Sequence, residues 1–345
     1  MKRRVLRVVL GLAVLAGASA ALRAADTIKK LSGGTVNGAI KSIGKTEVAI
    51  EKTGGVSETV PTNDIDVIYF EGEPPLLKSV RSSVASGAYT HALSTLEKLD
   101  AGSITRAEIQ QEVQYYRALC HADMALASGN NLQEAGKEML NFVTANPSSF
   151  HALAANELVG DLLMAVDKPE PAQKYYAELA SAPFPDMKMK AGILNGKALI
   201  ALKKYPDAEK AFAEVIQLAS QQKAPAGENE KVVATLGNAD CLASEGKMDD
   251  AIKQVQGVIK GLDPENEELQ AQAFLTLGNC YLKKPNSDKD ALLAFLHVDI
   301  VYPSQTQAHI TALRHLAVLW NKLGKADRSA QATQMLNELA NGGGQ

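Results

Sequence analysis

Apolar and polar residues alternate with a period of two in "TVNGAI", "TEVAIE" and "IDVIYF", which lie between residues 26 and 72. Such alternation puts every second side chain on one face, as in a half-buried strand. Gly33-Gly34, Ile43-Gly44-Lys45 and Gly54-Gly55 stand between these runs and supply tight turns. About five strands in so short a stretch predict a small barrel or a strongly bent sheet. Pro74-Pro75 closes the segment, and from residue 76 to about residue 340 the apolar positions recur at helical spacing.

Within the helical part, small residues recur in step with large ones. Gly160, Ala172 and Tyr176 are spaced by twelve and four, and Gly196, Ala208 and Phe212 repeat both intervals. Gly278, Ala291, Phe295 and Pro303 follow the same plan, with one more residue between the first two. Glycine inside a helix costs about 1 kcal/mol against alanine, so its recurrence needs a packing reason. Two antiparallel helices approach closely only where neither carries a bulky side chain, and the large residue after the alanine fills the space beside that crossing. Gly87, Gly246 and Gly324 fall between helices and are expected to end the first helix of a pair in a left-handed cap.

This arrangement resembles the tetratricopeptide repeat, a helix-turn-helix unit with small residues near positions 8 and 20, a large apolar residue near 24 and often proline at 32. Alignment on position 20 collects Ala92, Ala135, Ala172, Ala208, Ala251, Ala291 and Ser329, separated by 43, 37, 36, 43, 40 and 38 residues. The usual period is about 34, so the units are degenerate, with extended connectors such as "QQKAPAGENE" at 221–230. The resemblance covers residues 76–340 and implies a right-handed solenoid of about seven helix pairs. Residues 26–72 loosely resemble small Sm-like or SH3-like barrels. The expected fold class is therefore α+β: a small N-terminal β-barrel-like domain, then an all-α solenoid, then a flexible tail at 341–345.

The first residues change the picture of location. "MKRRVLRVVLGLAVLAGASAALRAAD" has a basic start, an apolar run from Val8 to Leu22 and the small-x-small site Ala18-Ser19-Ala20. It reads as a secretory signal peptide over residues 1–20, with cleavage as late as Ala25 also open. The rival is an uncleaved anchor, but the run falls short of the roughly 20 residues a span needs. The expectation is export, to a periplasm or the outside, without membrane insertion after cleavage. Removing the leader leaves 32 basic against 39 acidic residues, a poor balance for phosphate backbones or anionic lipid. The strand segment holds five lysines, no arginine and seven acids, with Tyr69 and Phe70 its aromatics. It lacks the basic, aromatic surface that binds nucleic acid.

Catalytic motifs are missing. There is no G-x-S-x-G, phosphate loop or G-x-G-x-x-G, and the six histidines include no pair at i, i+4. Cys120, Cys241 and Cys280 lie in alanine-rich helical sequence and read as small buried hydrophobes, unpaired. Neither a metal nor a cofactor is expected. In the repeat family, first-helix side chains at positions 2, 5, 9, 12 and 13 commonly line the concave surface. The resemblance therefore implies Asp123, Asp161, Lys197, Asn238 and Asn279, all at position 9, as partner-binding residues. An equally open reading makes them solvated helix positions. Position 5 holds Leu119, Glu157, Ile193, Ala234, Leu275 and Arg314, which is not the lysine-rich carboxylate clamp of the chaperone-binding members.

The expected function is a non-enzymatic scaffold or adaptor that binds protein or peptide partners on the concave face. The alternative is a structural or assembly component of the cell envelope, with the β domain docking on a larger machine. Homo-oligomerisation is left open.

Overall fold

The computed structural model describes residues 25–222 and 227–340. The leader over residues 1–20, connector residues 223–226 and the tail at 341–345 lie outside the described residues. Strands β1 (Asp26–Lys30), β2 (Thr35–Ile43), β3 (Glu47–Glu51), β4 (Ser57–Pro61) and β5 (Ile65–Tyr69) form an antiparallel sheet of order β4-β3-β2-β1-β5. The alternation seen in sequence sets the register. Ile28 faces Val36 and Ile68, Ile40 faces Ile50, and Val48 faces Val60. The long strand β2 changes partner along its length, from β1 at Gly38 to β3 at Ala39. A Cβ on Gly38 would come within 2.7 Å of the Glu51 carbonyl carbon, so glycine permits the bend.

Fourteen helices follow among the described residues, paired as α1 (Pro75–Ala85) with α2 (Tyr89–Leu96), α3 (Ala107–Ser128) with α4 (Leu132–Ala145), and α5 (Ala152–Ala165) with α6 (Pro169–Ala180). The series continues with α7 (Pro185–Ala201) and α8 (Tyr205–Ser220), α9 (Glu228–Ser244) and α10 (Met248–Gly261), α11 (Glu267–Lys283) and α12 (Asp288–Val301), and α13 (Thr306–Lys322) and α14 (Ala326–Ala340). Proline opens α1, α6, α7 and α8 at the first or second position, where no N–H is needed. Each turn inside a pair contains a left-handed residue. Gly87, Gly246 and Gly324 take this conformation as expected, Gly129 and Asn131 share it in the second pair, and Asp167, Lys203 and Asn286 hold it elsewhere.

The position-20 alanines are buried from Ala92 to Ala291, while Ser329 is half-buried and donates its hydroxyl to the Ala317 carbonyl at 2.7 Å. The position-8 glycines do something more specific than admit a neighbouring backbone. A Cβ on Gly196 would lie 2.6 Å from the Phe212 ring, and one on Gly160 would strike the Tyr176 ring. Gly237 of the next pair also abuts the Phe212 ring. The glycines are sockets for the position-24 ring, which packs within its own pair and, at Phe212, between pairs.

The sheet and the first helices share one core. Ile28, Ile50, Val60 and Ile68 are continuous with Leu77, Val80, Leu96, Ile109 and Val113. Charges reinforce the junction. Arg106 grips Asp26 with both terminal nitrogens at 2.6 and 3.0 Å, and Arg81 binds Glu73 at 2.6 and 2.9 Å and Glu112 at 3.0 Å. His151 Nε2 lies 2.6 Å from the other Glu112 oxygen. Sheet loops also reach the middle of the helical array: Lys45 pairs with Glu178 at 3.0 Å, and the Asn63 amide donates to Asp186 at 3.2 Å.

Candidate functional site

First helices of successive pairs touch one another, α1 with α3, α3 with α5, α7 with α9, α9 with α11 and α11 with α13. Each second helix from α2 to α12 is wedged against the first helix of the following pair. The layer whose members meet directly is the tighter one, so the first helices form the inside of the curve. Arg314 on α13 donates to the Ala127 carbonyl near the end of α3 at 2.6 Å, which brings the last pair back towards the second across the hollow.

Two open pockets share this inner face. One, of about 410 Å³, is lined by Lys197, Ile200, Asp240, Asn279, Leu282 and Lys283. The other, of about 500 Å³, takes its walls from the starts of α7, α9 and α11, among them Asp186, Lys190, Ile193, Val233, Glu230, Glu268 and Leu269. Lys197 lines both pockets, so the two adjoin across three first helices.

The five position-9 residues separate into two sets. Lys197 is exposed, and it and Asn279 meet in the first pocket. Asn238 lies on the same inner layer but outside both pockets, its amide 3.5 Å from Gln254 Oε1. Asp123 and Asp161 are half-buried, Asp161 against the second helix of its own pair and Asp123 towards the second helix of the preceding pair. The Tyr176 hydroxyl donates to Asp161 at 2.8 Å, and Asp123 lies near Tyr89 of α2. Burial pushes both carboxyls above the usual range, and the tyrosines offset only part of that rise. Neither of them lines the two pockets.

Several groove residues went unnamed in the sequence reading. Ile200, Leu282 and Lys283 fall at positions 12 and 13, so the periodicity that flagged position 9 also points to them. Val318, 69% exposed, extends the position-9 row into the last pair. Asp240 had a different signal: it sits at position 11, where Tyr281 stands in the next pair. Burial raises its carboxyl to about 6 even though Lys283 and Lys197 pull it down.

All three cysteines are free and buried; burial pushes the Cys120 and Cys280 thiols up to about 12 and Cys241 up to about 11. Glu209, Cys241 and Glu245 approach one another within 4.8 Å. The Lys247 ammonium already neutralises Glu245 at 2.7 Å, and the Cys241 thiol donates to the Tyr205 carbonyl at 3.3 Å. Among the described residues, no helix is long and apolar enough to cross a membrane.

No family profile matches the chain, and no curated protein matches it significantly. Solved structures do. A tetratricopeptide repeat protein from Parabacteroides merdae superposes with a TM-score of 0.51 at 14% identity, over 76% of this chain and 91% of that one. The helical array has a tetratricopeptide-like fold. A Rap protein complexed with competence and sporulation factor gives a TM-score of 0.50 at 16% identity, over 76% of this chain and 70% of that one. The tetratricopeptide-like array here carries the small five-stranded sheet at its N-terminal end.

Proposed function

We propose that the protein is a non-enzymatic interaction scaffold that holds an extended segment of a partner protein in the groove formed by α7, α9 and α11. The observation that supports this reading is Lys197, which borders both pockets and sets them side by side along the three helices. Apolar groups (Ile193, Ile200, Val233, Leu269, Leu282) alternate there with polar ones, which suits a strand-like guest with side chains on two faces. The Asn279 amide offers both a donor and an acceptor to its backbone. That the Rap neighbour was solved with a bound factor is consistent with this use of the fold.

The same proposal has the protein exported, supported by the basic start, short apolar run and Ala18-Ser19-Ala20 of the sequence. The β segment shares its core with α1 to α5 and hydrogen-bonds Asp186 at the groove's edge. This supports a fixed wall beside the groove more than a detachable docking module.

The test is affinity of the mature protein for peptides selected from a random display library. Lys197→Ala with Asn279→Ala is expected to weaken binding by roughly 1 to 3 kcal/mol for two lost hydrogen bonds, with melting unchanged. Lys253→Ala on α10 serves as control. Selected peptides that bind the double variant and the parent equally would move the site off this face.

A further inference from the structure

The groove is electrically lopsided along its length. At the end where α7, α9 and α11 begin, Glu157, Asp186, Glu230 and Glu268 face Lys190 as the one cation lining that pocket besides Lys197. Lys190 is already held by Glu157 at 2.8 Å, and Asp186 receives only the neutral Asn63 amide. Among the described residues neither Glu230 nor Glu268 has an ion-pair partner, and Glu268 is exposed. Towards the other end the cations are Lys197 and Lys283, with Asp240 between them. Half-buried Val233 lies at the acidic end itself, over the largely buried Ile193 and Leu269.

We propose that the segment held in this groove is basic and apolar: a Lys or Arg side chain seated against Glu230 and Glu268, an adjacent apolar side chain on Ile193, Val233 and Leu269, and no cation where Lys197 and Lys283 stand. The inference rests on the groove reading above and adds the chemistry of the guest. Glu268 and Asn279 are about three helical turns apart on α11, roughly 16 Å. That spans about five residues of extended chain, which sets the length of the recognised stretch. First-turn acids also complement the helix dipoles. A charge used only for that purpose leaves the guest's composition free, and this is what the experiment separates.

The probe is a random twelve-residue peptide library displayed on phage, selected against the mature protein and then against a Glu230→Lys, Glu268→Lys variant checked for unchanged helicity. The expected result on the parent is enrichment of Lys or Arg at one end of the selected peptides, with an apolar residue within two positions and no Lys or Arg about five residues further on. Peptides chosen on the parent should bind the charge-reversed variant at least 10-fold more weakly. A Glu230→Gln, Glu268→Gln variant should give a smaller loss, and raising the salt should narrow both differences. Peptides that lose affinity in Lys197→Ala with Asn279→Ala but show no basic bias, or are indifferent to Glu230 and Glu268, overturn this inference and leave the groove reading standing. Peptides indifferent to both pairs of substitutions overturn both.

Discussion

The ring of Phe295 lies directly over Gly278, so close that a Cβ on the glycine would sit 2.6 Å from it. Phe295 is fully buried, and His315 of the next pair stacks on it with ring centroids 4.4 Å apart. The ring cannot retreat. Three helices, α11, α12 and α13, are thus joined through one aromatic side chain, and the missing methyl group of Gly278 makes the joint possible.

Gly278→Ala should therefore destabilise the protein although alanine is the better helix former by about 1 kcal/mol. Overpacking of a rigid core typically costs about 1 to 3 kcal/mol, so the steric effect wins. Urea unfolding should show a lower midpoint for Gly278→Ala, and Phe295→Leu in that background should recover part of the loss. A midpoint at or above the parent's would mean that the ring has room to move.

Lys203 takes a left-handed conformation, φ 58°, at the turn where other pairs use Gly87, Gly246 or Gly324. A side chain there is disfavoured by roughly 1 to 2 kcal/mol, offset in part by the greater unfolded-state freedom of glycine. Lys203→Gly should raise stability by about 0.5 to 1 kcal/mol, and Gly246→Ala should lower it by about 1 kcal/mol or more. Denaturation midpoints of the two variants should move in opposite directions.

Arg81 and Glu112 are buried together, with side chains 8% and 1% exposed. Removing Arg81 alone leaves Glu112 a buried charge, a loss of about 3 to 5 kcal/mol; Glu73 loses Arg81 in the single and the double variant alike, so the difference between them reports on Glu112. Arg81→Met should unfold far more easily than Arg81→Met with Glu112→Leu. Burial alone would raise the Glu112 carboxyl, but His151 and Arg81 hold it below the usual range. Its folded pKa is depressed, so its contribution is complete above the unfolded value of about 4.3 and disappears as pH falls through the folded one. Stability of the parent should drop in that acid window more steeply than stability of the double variant.

Asp240 behaves in the opposite sense. Its folded pKa, about 6, lies above the unfolded value, so folding favours the protonated form and stability is lost as pH rises from about 4 to about 6. Asp240→Asn should remove this slope and stabilise the protein at pH 7 to 8, by at most about 3 kcal/mol for a shift of this size. A pH series of melting temperatures tests it: equal slopes for parent and variant between pH 4 and 6 would show that the carboxyl titrates normally.

The change of period at Pro74-Pro75 separates strands from helices because local packing faces set those periods, and residues such as Val48, Ile50 and Val60 carry their alternation without help from distant parts of the chain. The small residues at positions 8 and 20 were legible for the same reason, since Gly196 and Ala208 answer to a partner only twelve to sixteen positions away. The left-handed turns at Asp167, Lys203 and Asn286 were not, because those residue types tolerate the conformation without advertising it. Contacts between distant segments lay further out of reach. Nothing along the chain indicates that Asn63 would meet Asp186, that Asp161 would be claimed by Tyr176, or that Lys197, Asp240 and Lys283 from three pairs would line one pocket. Periodicity tells which side of a helix faces inward. The angle at which successive pairs stack determines which inward side chains meet, and it comes from the fit of rings such as Phe212 and Phe295 between pairs, a property of the assembled core.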